Sequence, residues 1–446
     1  MKDLIFSYIE LFFDLHLDRS RPLLLAFSGG FDSTVLLHLL IRYKKEKDFD
    51  LHIAHIDHGW RKESFEEAKK LEKIAQDNKL VFHMKKLADV PKKNREDICR
   101  KKRYEFFSEL NSKIAFQAVV LAHQADDVAE TVLKRILEGS HLINLSSMNE
   151  ISTMQDLRVW RPLLQFTRKE ILKYIKDHNL SCIDDKTNAS PLYLRSRIRY
   201  SILPFLTEQF GKEVSINLCL LAQRAEDLRK YLDEKITLSK EMLVRGPLGV
   251  YLPEKGHSHL KNLEKTHLVK TLMQEGNIDI SRSILEKIVT SLDLPSKMQI
   301  FSLKDAQIVV DKRRLFIFIK PLPLTGPTNI VPIKEGDNSF GLWKITLSRD
   351  ISNVASLGWE NLWKGEACFL LPKGNYSLRA AQKDGKYIYP KLKKSWNEKK
   401  VPLFLRQHLP ILFSDKEIVC DFVENNNNKN GVVSPYYIVK LKLLNN

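Results

Sequence analysis

A serine- and glycine-rich turn near the start of the chain has the composition of a phosphate-binding loop. It occupies 28–33, between an apolar run and a segment of helical periodicity. The backbone N–H groups of such a turn and the positive end of the following helix can hold phosphate oxygens. The chain has no Walker-type GxxxxGKS or GxxxxGKT motif and the turn has no lysine, which favours adenylation over transfer of a γ-phosphoryl group. We predict that ATP contacts Ser28, Gly29, Gly30, Phe31, Asp32 and Ser33, with Asp32 either holding Mg²⁺ or capping the helix.

Acidic residues follow the fourth apolar run, at the start of a predicted helix. Asp127 and Glu130 are three residues apart and share one helical face, with His123 just before them. Stabilisation by the helix dipole is enough to explain the neighbouring Asp126. It does not explain a face that combines an imidazole with two carboxylates at the carboxyl edge of a sheet. We predict that all three are catalytic and that Asp127 and Glu130 grip a substrate ammonium group.

Two further pairs of residues are candidates for nucleotide contacts. His55 and Asp57 end the second apolar run, where a doubly wound fold presents side chains to a nucleotide, so we assign them to ATP. Zinc is a weaker alternative for this segment, which continues with His58 but lacks a further ligand. Arg100 and Arg103 share a helical face, and their guanidinium groups suit phosphate oxygens, although a solvated basic face explains them equally well.

The chain is strongly basic. Its 72 Lys and Arg against 55 Asp and Glu give a net charge of +17, which favours nucleic acid as a partner, although a Lys-rich surface alone explains it as well. Between 379 and 416, ten basic residues meet three acidic ones among aromatics, a pattern typical of an RNA-binding surface or of a small basic domain with an aromatic core. The basic candidates for RNA contact are Arg195, Arg197, Arg199, Arg379, Lys391, Lys393, Lys394 and Arg406.

The hydrophobic pattern predicts the elements that position these residues. Apolar runs alternate with segments of helical periodicity in the first part of the chain, which predicts an α/β fold with a doubly wound parallel sheet. Ligands of such a sheet bind at the carboxyl ends of its strands, where the candidate residues lie. The predicted strands are at 23–27, 51–56, 80–83 and 118–121, and the predicted helices are near 33–45, 62–78, 95–111 and 126–138.

The pattern changes past about residue 205. Helical segments precede a strand-like run at 308–319, and prolines at 321, 323 and 327 mark a linker to further short strands. We therefore predict a catalytic domain at 1–208, a mainly helical domain at 209–325 and a small, basic α+β domain at 326–446. The five scattered cysteines contain no CxxC pair, and we find neither a signal peptide nor an apolar segment long enough to span a membrane, so we predict a cytoplasmic protein.

Taken in order, these motifs resemble those of the tRNA(Ile)-lysidine synthetase family of pyrophosphate-loop enzymes. The likeness rests on 28–33, 55–59, 100–104, 123–131, 161–163 and 195–204. Further along, Lys391 to Lys394, Val401-Pro402, Arg406 and Leu409-Pro410 are similar to the carboxy-terminal tRNA-binding domain of that family. The resemblance implies a fold of the pyrophosphate-loop type for the first domain and tRNA contacts for the basic residues named above.

The resemblance also implies a two-step ligation. ATP adenylates the C2 oxygen of the wobble cytidine in an isoleucine tRNA with a CAU anticodon, and the ε-amine of free L-lysine then attacks C2 and releases AMP. Residues 28–33 would hold the pyrophosphate with Mg²⁺, Asp127 and Glu130 would orient the lysine, and Arg100 and Arg103 would meet the α-phosphate or the cytidine. The sequence does not identify the group that accepts the proton of the amine, and it leaves the oligomeric state, a dimer included, undecided.

The chain departs from the family pattern at a few positions. After the acidic helix, Glu138-Gly139-Ser140-His141 stand where the family has Arg-Gly-Ser-Gly, Cys99 replaces an alanine, and Ser196 replaces an asparagine. A tRNA thiolase is the rival within the superfamily, and the lack of paired cysteines argues against it. A noncatalytic tRNA-binding protein is the rival from another class, and the intact Asp32, Asp127 and Glu130 argue against it.

Overall fold

The computed structural model describes most of the chain as two compact units, Met1–Lys230 and Tyr231–Asn446. His58 and the linker prolines Pro321 and Pro323 lie outside the described residues. The described residues are 3–57, 64–87, 95–183, 193–294, 298–318, 322, 326–327, 329–348, 358–365, 367–372, 374–383, 386–387, 389–415, 417–423 and 436–443.

A six-stranded sheet forms the centre of the first unit. Its strands are β1 (Leu23–Ala26), β2 (Leu51–Asp57), β3 (Val81–Lys86), β4 (Ala118–Val120), β5 (Ile151–Met154) and β6 (Leu157–Trp160). They lie in the order β3-β2-β1-β4-β6-β5, and all neighbours pair in parallel except β5 with β6. The strand order reverses between β1 and β4, and ligands of doubly wound sheets bind at such a point. The predicted fold class is confirmed.

Helices cover both faces of this sheet. In β1, Leu23 and Leu25 point into one core and Leu24 points into the other. Because both faces are buried, the inner strands are continuous apolar runs, which is why the sequence reveals them. The helices are α1 (Leu4–His16), α2 (Phe31–Glu46), α3 (Ser64–Asp77), α4 (Arg95–Ile114), α5 (Ala125–Leu137), α6 (Arg168–Asp177), α7 (Leu194–Arg197) and α8 (Leu203–Phe210), with one π-helical turn at Ile198–Ile202.

The second unit begins with helices and a five-stranded antiparallel sheet. The elements are the end of α9 (Val214–Glu241), α10 (Asn262–Glu275), α11 (Arg282–Asp293), β7 (Val244–Gly246), β8 (Gly249–Leu252), β9 (Gln299–Ser302), β10 (Gln307–Asp311) and β11 (Arg314–Phe318). The strand expected at 308–319 is instead the hairpin β10–β11. Lys312 and Arg313 both have positive φ, at 50° and 59°, which allows the tight two-residue turn.

Small sheets and short helices complete the second unit. They are β12 (Val331–Pro332), β13 (Gly336–Phe340), β14 (Trp343–Ser348), α12 (Trp359–Lys364), β15 (Ala367–Pro372), β16 (Ser377–Ala380), β17 (Gln382–Lys383), β18 (Lys386–Tyr387), α13 (Pro390–Glu398), α14 (Leu403–Arg406), β19 (Pro410–Ser414), β20 (Glu417–Cys420) and β21 (Tyr436–Leu443). Phe316 of β11 packs in one core with Trp363 and Phe404. The boundary predicted near 325 therefore lies inside one compact unit. Among the described residues, no helix is both long and apolar enough to span a bilayer.

Candidate active site

Hydrogen bonds fix the conformation of the turn between β1 and α2. The Thr34 hydroxyl and the Ile183 N–H both donate to the Gly29 carbonyl, at 3.1 and 2.9 Å. The hydroxyl oxygens of Ser28 and Ser33 lie 3.1 Å apart across the turn. Gly30 precedes α2 without a side-chain cap, so the first N–H groups of this helix can serve a ligand. The turn has the geometry that suits phosphate oxygens.

Gly29 is the residue of the turn that tolerates substitution least. Its φ is +80°, and a Cβ there would lie 2.8 Å from Leu71 Cδ2 and 2.9 Å from Ile183 Cδ1. We expect Gly29→Ala to weaken ATP binding by about tenfold or more, because backbone strain of about 1–2 kcal/mol adds to crowding of the turn. Titration calorimetry with an ATP analogue measures this.

Gly139→Ala is the matched control for that substitution. Gly139 has a φ of +69°, but a Cβ at this position would meet no atom of the described residues within 4 Å, so only the backbone cost applies. The control should lower the melting temperature slightly and leave nucleotide binding unchanged. Equal nucleotide affinity in the Gly29 variant and wild type would contradict a phosphate-binding role for the turn.

Asp32 has the surroundings of a cation ligand. Its Oδ1 atom is buried, with no hydrogen-bond partner among the described residues. Burial and the nearby Asp127 raise the pKa of the Asp32 carboxyl to about 6, although Arg168 and Arg199 oppose the shift. The described residues contain no group of three or more His, Cys, Asp or Glu side chains placed to hold a metal ion. Mg²⁺ fits this site if phosphate oxygens complete its coordination, as is usual for this ion.

The raised pKa of Asp32 predicts a pH-dependent stability difference. In the unfolded chain the carboxyl ionises near 3.8 and in the folded chain near 6, so its ionisation destabilises the fold increasingly as the pH rises through that range. Without metal, Asp32→Asn should raise the free energy of unfolding at pH 8 by about 1–3 kcal/mol, with a smaller gain at pH 5. Urea denaturation in the presence of a chelator measures both values. If Asp32→Asn leaves the stability at pH 8 unchanged or lowers it, the ionised Asp32 carboxylate does not destabilise the fold.

The two predicted lysine-binding carboxylates lie together in a buried ion-pair cluster. Asp127 and Glu130 on α5 are 6% and 2% exposed, so their charges need partners. Arg195 donates to Glu130 at 2.8 Å and to Asp127 at 2.7 Å. Arg199 donates to Asp127 at 2.6 Å and also to Glu130. The four side chains, which we call the acid–arginine cluster, together carry no net charge.

The arginines keep Asp127 ionised. Burial alone would raise the pKa of Asp127, but Arg195, Arg199 and the N–H of Gln124 outweigh it and lower the pKa. Both arginines lie on one irregular helical segment. Arg195 and Arg199 lie one turn apart in α7 and the π-helical turn after it, and irregular turns of this kind occur frequently at functional sites.

The structure gives the three predicted basic residues of this helix different surroundings. The sequence predicts tRNA contacts for Arg195 and Arg199, but the structure engages both with carboxylates inside the protein. Arg197 is exposed. A tRNA contact stays a prediction for all three residues, although Arg195 and Arg199 already pair with carboxylates.

His123 and Arg103 lie next to the acid–arginine cluster. Burial lowers the pKa of His123 to about 4, so this side chain is neutral at pH 7, and its Nδ1 has no partner among the described residues. Burial also lowers the pKa of Arg103, with Arg100 and Arg195 contributing. In the described part of the chain, the Arg103 guanidinium has no hydrogen bond or ion pair, whereas Arg100 lies over the Tyr104 ring. Arg103 is a half-buried cation that suits an anionic ligand.

His55 and Asp57 support the turn from the neighbouring strand. Both side chains are buried at the carboxyl end of β2. His55 Nδ1 lies 2.9 Å from the carbonyl of Phe27, the residue before the turn, and burial lowers the pKa of the imidazole. A neutral His55 donates this hydrogen bond and fixes the start of the turn. Contact of these two residues with ATP stays a prediction.

The basic residues of the second unit fall into exposed and buried groups. Lys391, Lys393 and Lys394 are exposed on α13 and are available to a partner. Arg379 is half-buried, donates to the Asp415 carbonyl and stacks over Phe413. Arg406 is 1% exposed and donates to the carbonyls of Trp396 and Val401. A tRNA contact of Arg406 stays a prediction, although its guanidinium binds buried backbone carbonyls in this structure.

Comparisons with known proteins identify two domains in the chain. Residues 6–206 match the family described as PP-loop domain, and residues 381–421 match the TilS substrate C-terminal domain. The solved U34-tRNA thiolase NcsA from Methanococcus maripaludis is similar with a TM-score of 0.42 and 17% identity, over 50% of this chain and 79% of that chain. A structural likeness of this size carries no argument about function.

Relatives named tRNA(Ile)-lysidine synthase match the chain over most of its length. The protein from Protochlamydia amoebophila is 31% identical over 425 residues, covering 94% of this chain and 92% of the relative. The protein from Chlamydia trachomatis serovar L2 is 33% identical over 305 residues, covering 68% of this chain and 93% of the relative. Because the first match is nearly complete on both sides and the two domains occur in the same chain, this protein belongs to the tRNA(Ile)-lysidine synthase family.

Proposed function

We propose that this protein is an ATP-dependent ligase that joins lysine to C2 of the wobble cytidine in an isoleucine tRNA with a CAU anticodon, forming lysidine. The observation that carries this proposal is the full-length similarity to tRNA(Ile)-lysidine synthases. The site agrees with it, because a phosphate-type turn, the buried carboxylates and Arg103, which has no ion pair among the described residues, lie where the strand order of the sheet reverses.

The first step of the proposed reaction activates the cytidine. Its C2 oxygen attacks the α-phosphorus of ATP, and the bond to the leaving pyrophosphate breaks. The turn at 28–33 binds the pyrophosphate through backbone N–H groups, and Arg103 faces the charge that develops at the α-phosphate. Mg²⁺, held by Asp32 and the phosphates, would supply charge neutralisation when bound.

The second step transfers lysine. The uncharged ε-amine attacks C2, and AMP leaves with the former C2 oxygen and the electron pair of the broken bond. Free lysine has a pKa of about 10.4, so the amine must lose a proton before or during attack. Asp127 and Glu130 are held in place for an ammonium group, but both already bind arginines. A bound lysine must share these carboxylates with Arg195 and Arg199 or displace one guanidinium.

The second unit contributes tRNA contacts in this proposal. The exposed lysines of α13 lie within the matched carboxy-terminal family region and suit phosphate oxygens. We propose a cytoplasmic location because the substrate is a tRNA. A dimer stays a hypothesis, which sedimentation of the purified chain tests.

Incorporation of labelled lysine tests the proposed function. Unmodified CAU-anticodon isoleucine tRNA is incubated with the protein, ATP, Mg²⁺ and radiolabelled lysine, and label in the tRNA is counted. We expect label to appear with release of AMP and pyrophosphate. The same tRNA with uridine at the wobble position should stay unlabelled. A folded protein that binds the tRNA but neither labels it nor releases pyrophosphate would support the noncatalytic alternative.

A further inference from the structure

Arg168 stands beside the phosphate-type turn but belongs to a different segment. It is the first residue of α6, and its backbone N–H donates to Asp126 at the start of α5 at 2.8 Å. Its guanidinium carbon lies 6.0 Å from the ring centre of Phe31, a residue of the turn, and 5.7 Å from that of Tyr200. Both distances are within reach of cation–π attraction. The side chain therefore sits between two aromatic rings at the edge of the turn.

The guanidinium of Arg168 has no anionic partner inside the described part of the first unit. No ion pair and no hydrogen bond from this group occurs there. Arg195 and Arg199, by contrast, each bind two carboxylates. The guanidinium of Arg168 nevertheless lies at the site, because its carbon is 6.0 Å from the ring centre of Phe31 in the turn. Arg168 is thus a half-buried cation beside a phosphate-type turn that lacks a lysine of its own.

Pyrophosphate release needs a positive charge at this place. When the bond between the α-phosphorus and the bridging oxygen breaks, the electron pair stays on the pyrophosphate, whose negative charge increases. Backbone N–H groups supply only partial charges, and a guanidinium group binds two phosphate oxygens at once. The aromatic rings restrain the side chain and reduce the entropy that binding costs.

We propose that Arg168 binds the β- and γ-phosphates of ATP and stabilises the pyrophosphate as it leaves. The inference rests on the proposed adenylation reaction. It assigns a phosphate-binding role to a residue that the sequence motifs leave unassigned, and it implies that α6 closes one side of the nucleotide site.

Direct ligand binding tests this assignment without tRNA or lysine. Calorimetry with inorganic pyrophosphate and with AMP is done on the full chain in wild type, Arg168→Gln, Arg168→Lys and the control Lys169→Gln, whose residue is the exposed neighbour on α6. We expect Arg168→Gln to weaken pyrophosphate binding about tenfold to hundredfold and to leave AMP binding unchanged, with Arg168→Lys in between. The control should bind both ligands like wild type.

Each other outcome overturns the assignment. Wild-type pyrophosphate affinity in Arg168→Gln would do so, as would an equal loss of pyrophosphate and AMP binding or a loss confined to tRNA binding. Failure of the wild-type chain to bind pyrophosphate would also exclude it. Loss of pyrophosphate binding in Arg168→Gln, together with no lysine incorporation by wild type, would support this assignment while rejecting the proposed ligase function.

Discussion

Asp127→Ala is expected to lower the rate of lysine transfer to tRNA by at least about a hundredfold. The substitution removes a carboxylate that is proposed to hold the substrate ammonium group. It also removes one ion pair each from Arg195 and Arg199. Truncation of one partner of a buried, hydrogen-bonded charge pair weakens binding by about 2–5 kcal/mol, which is enough for this loss. The adenylation step should survive, because the loss of a negative charge near Asp32 removes repulsion from its carboxylate.

Separate measurement of the two steps distinguishes this effect from unfolding. Formation of adenylated tRNA is followed without lysine, and label transfer is followed after lysine is added. Asp127→Asn keeps an acceptor for the Gln124 N–H, which Asp127 binds at 3.0 Å, and serves as the variant that is less disturbed structurally. Asp227→Asn, at an exposed carboxylate of the same unit, should transfer lysine normally. Normal lysine saturation in the Asp127 variants would contradict the assignment of this residue to lysine.

Arg103→Ala is expected to reduce adenylation itself by about a hundredfold to a thousandfold. Its guanidinium is half-buried and unpaired within the described residues, and stabilisation of charge that develops in a transition state is worth this much for one donor. Ground-state ATP binding should change less than the rate, because the α-phosphate gains negative charge only as the reaction proceeds. Single-turnover release of pyrophosphate measures the rate.

A neighbouring lysine provides the control for Arg103. Lys101→Gln removes one positive charge from an exposed position of α4 and should leave adenylation unchanged. Because Arg103 lacks hydrogen-bond and ion-pair partners in the described part of the chain, its replacement should not lower the melting temperature greatly, and removal of a buried charge favours folding. An Arg103→Ala protein that releases pyrophosphate at the wild-type rate would exclude the proposed role at the α-phosphate.

The phosphate-type turn and the inner strands are predictable because their residue types depend on local backbone conformation and burial. The strands β1 and β4 are continuous apolar runs because helices cover both of their faces, and this pattern survives in the sequence alone. The positive φ of Gly29 is expected from the sequence, because glycine adopts this conformation without a steric penalty. The strand β5 escapes prediction because it lies at an edge of the sheet and none of its residues is buried. The apolar run of β6 is interrupted by the exposed Arg158.

Contacts between distant segments explain what the sequence does not reveal. The ion pairs of the acid–arginine cluster join residues 65 to 72 positions apart, so charge type alone suggests RNA contacts for Arg195 and Arg199. Arg406 lies in a basic segment whose residue types do not distinguish it from the exposed lysines of α13. Only the packed structure shows that its guanidinium binds internal carbonyls.

The fate of one oxygen atom tests the central claim most directly. A CAU-anticodon isoleucine tRNA is prepared with a heavy oxygen isotope at C2 of the wobble cytidine and converted by the protein with ATP and lysine. Because we propose that this oxygen attacks the α-phosphorus and leaves with it, mass spectrometry should find the heavy isotope in AMP and not in pyrophosphate or in the modified tRNA. Unlabelled AMP formed together with lysine-modified tRNA would contradict cytidine adenylation and place the activation on another group, such as the carboxylate of lysine.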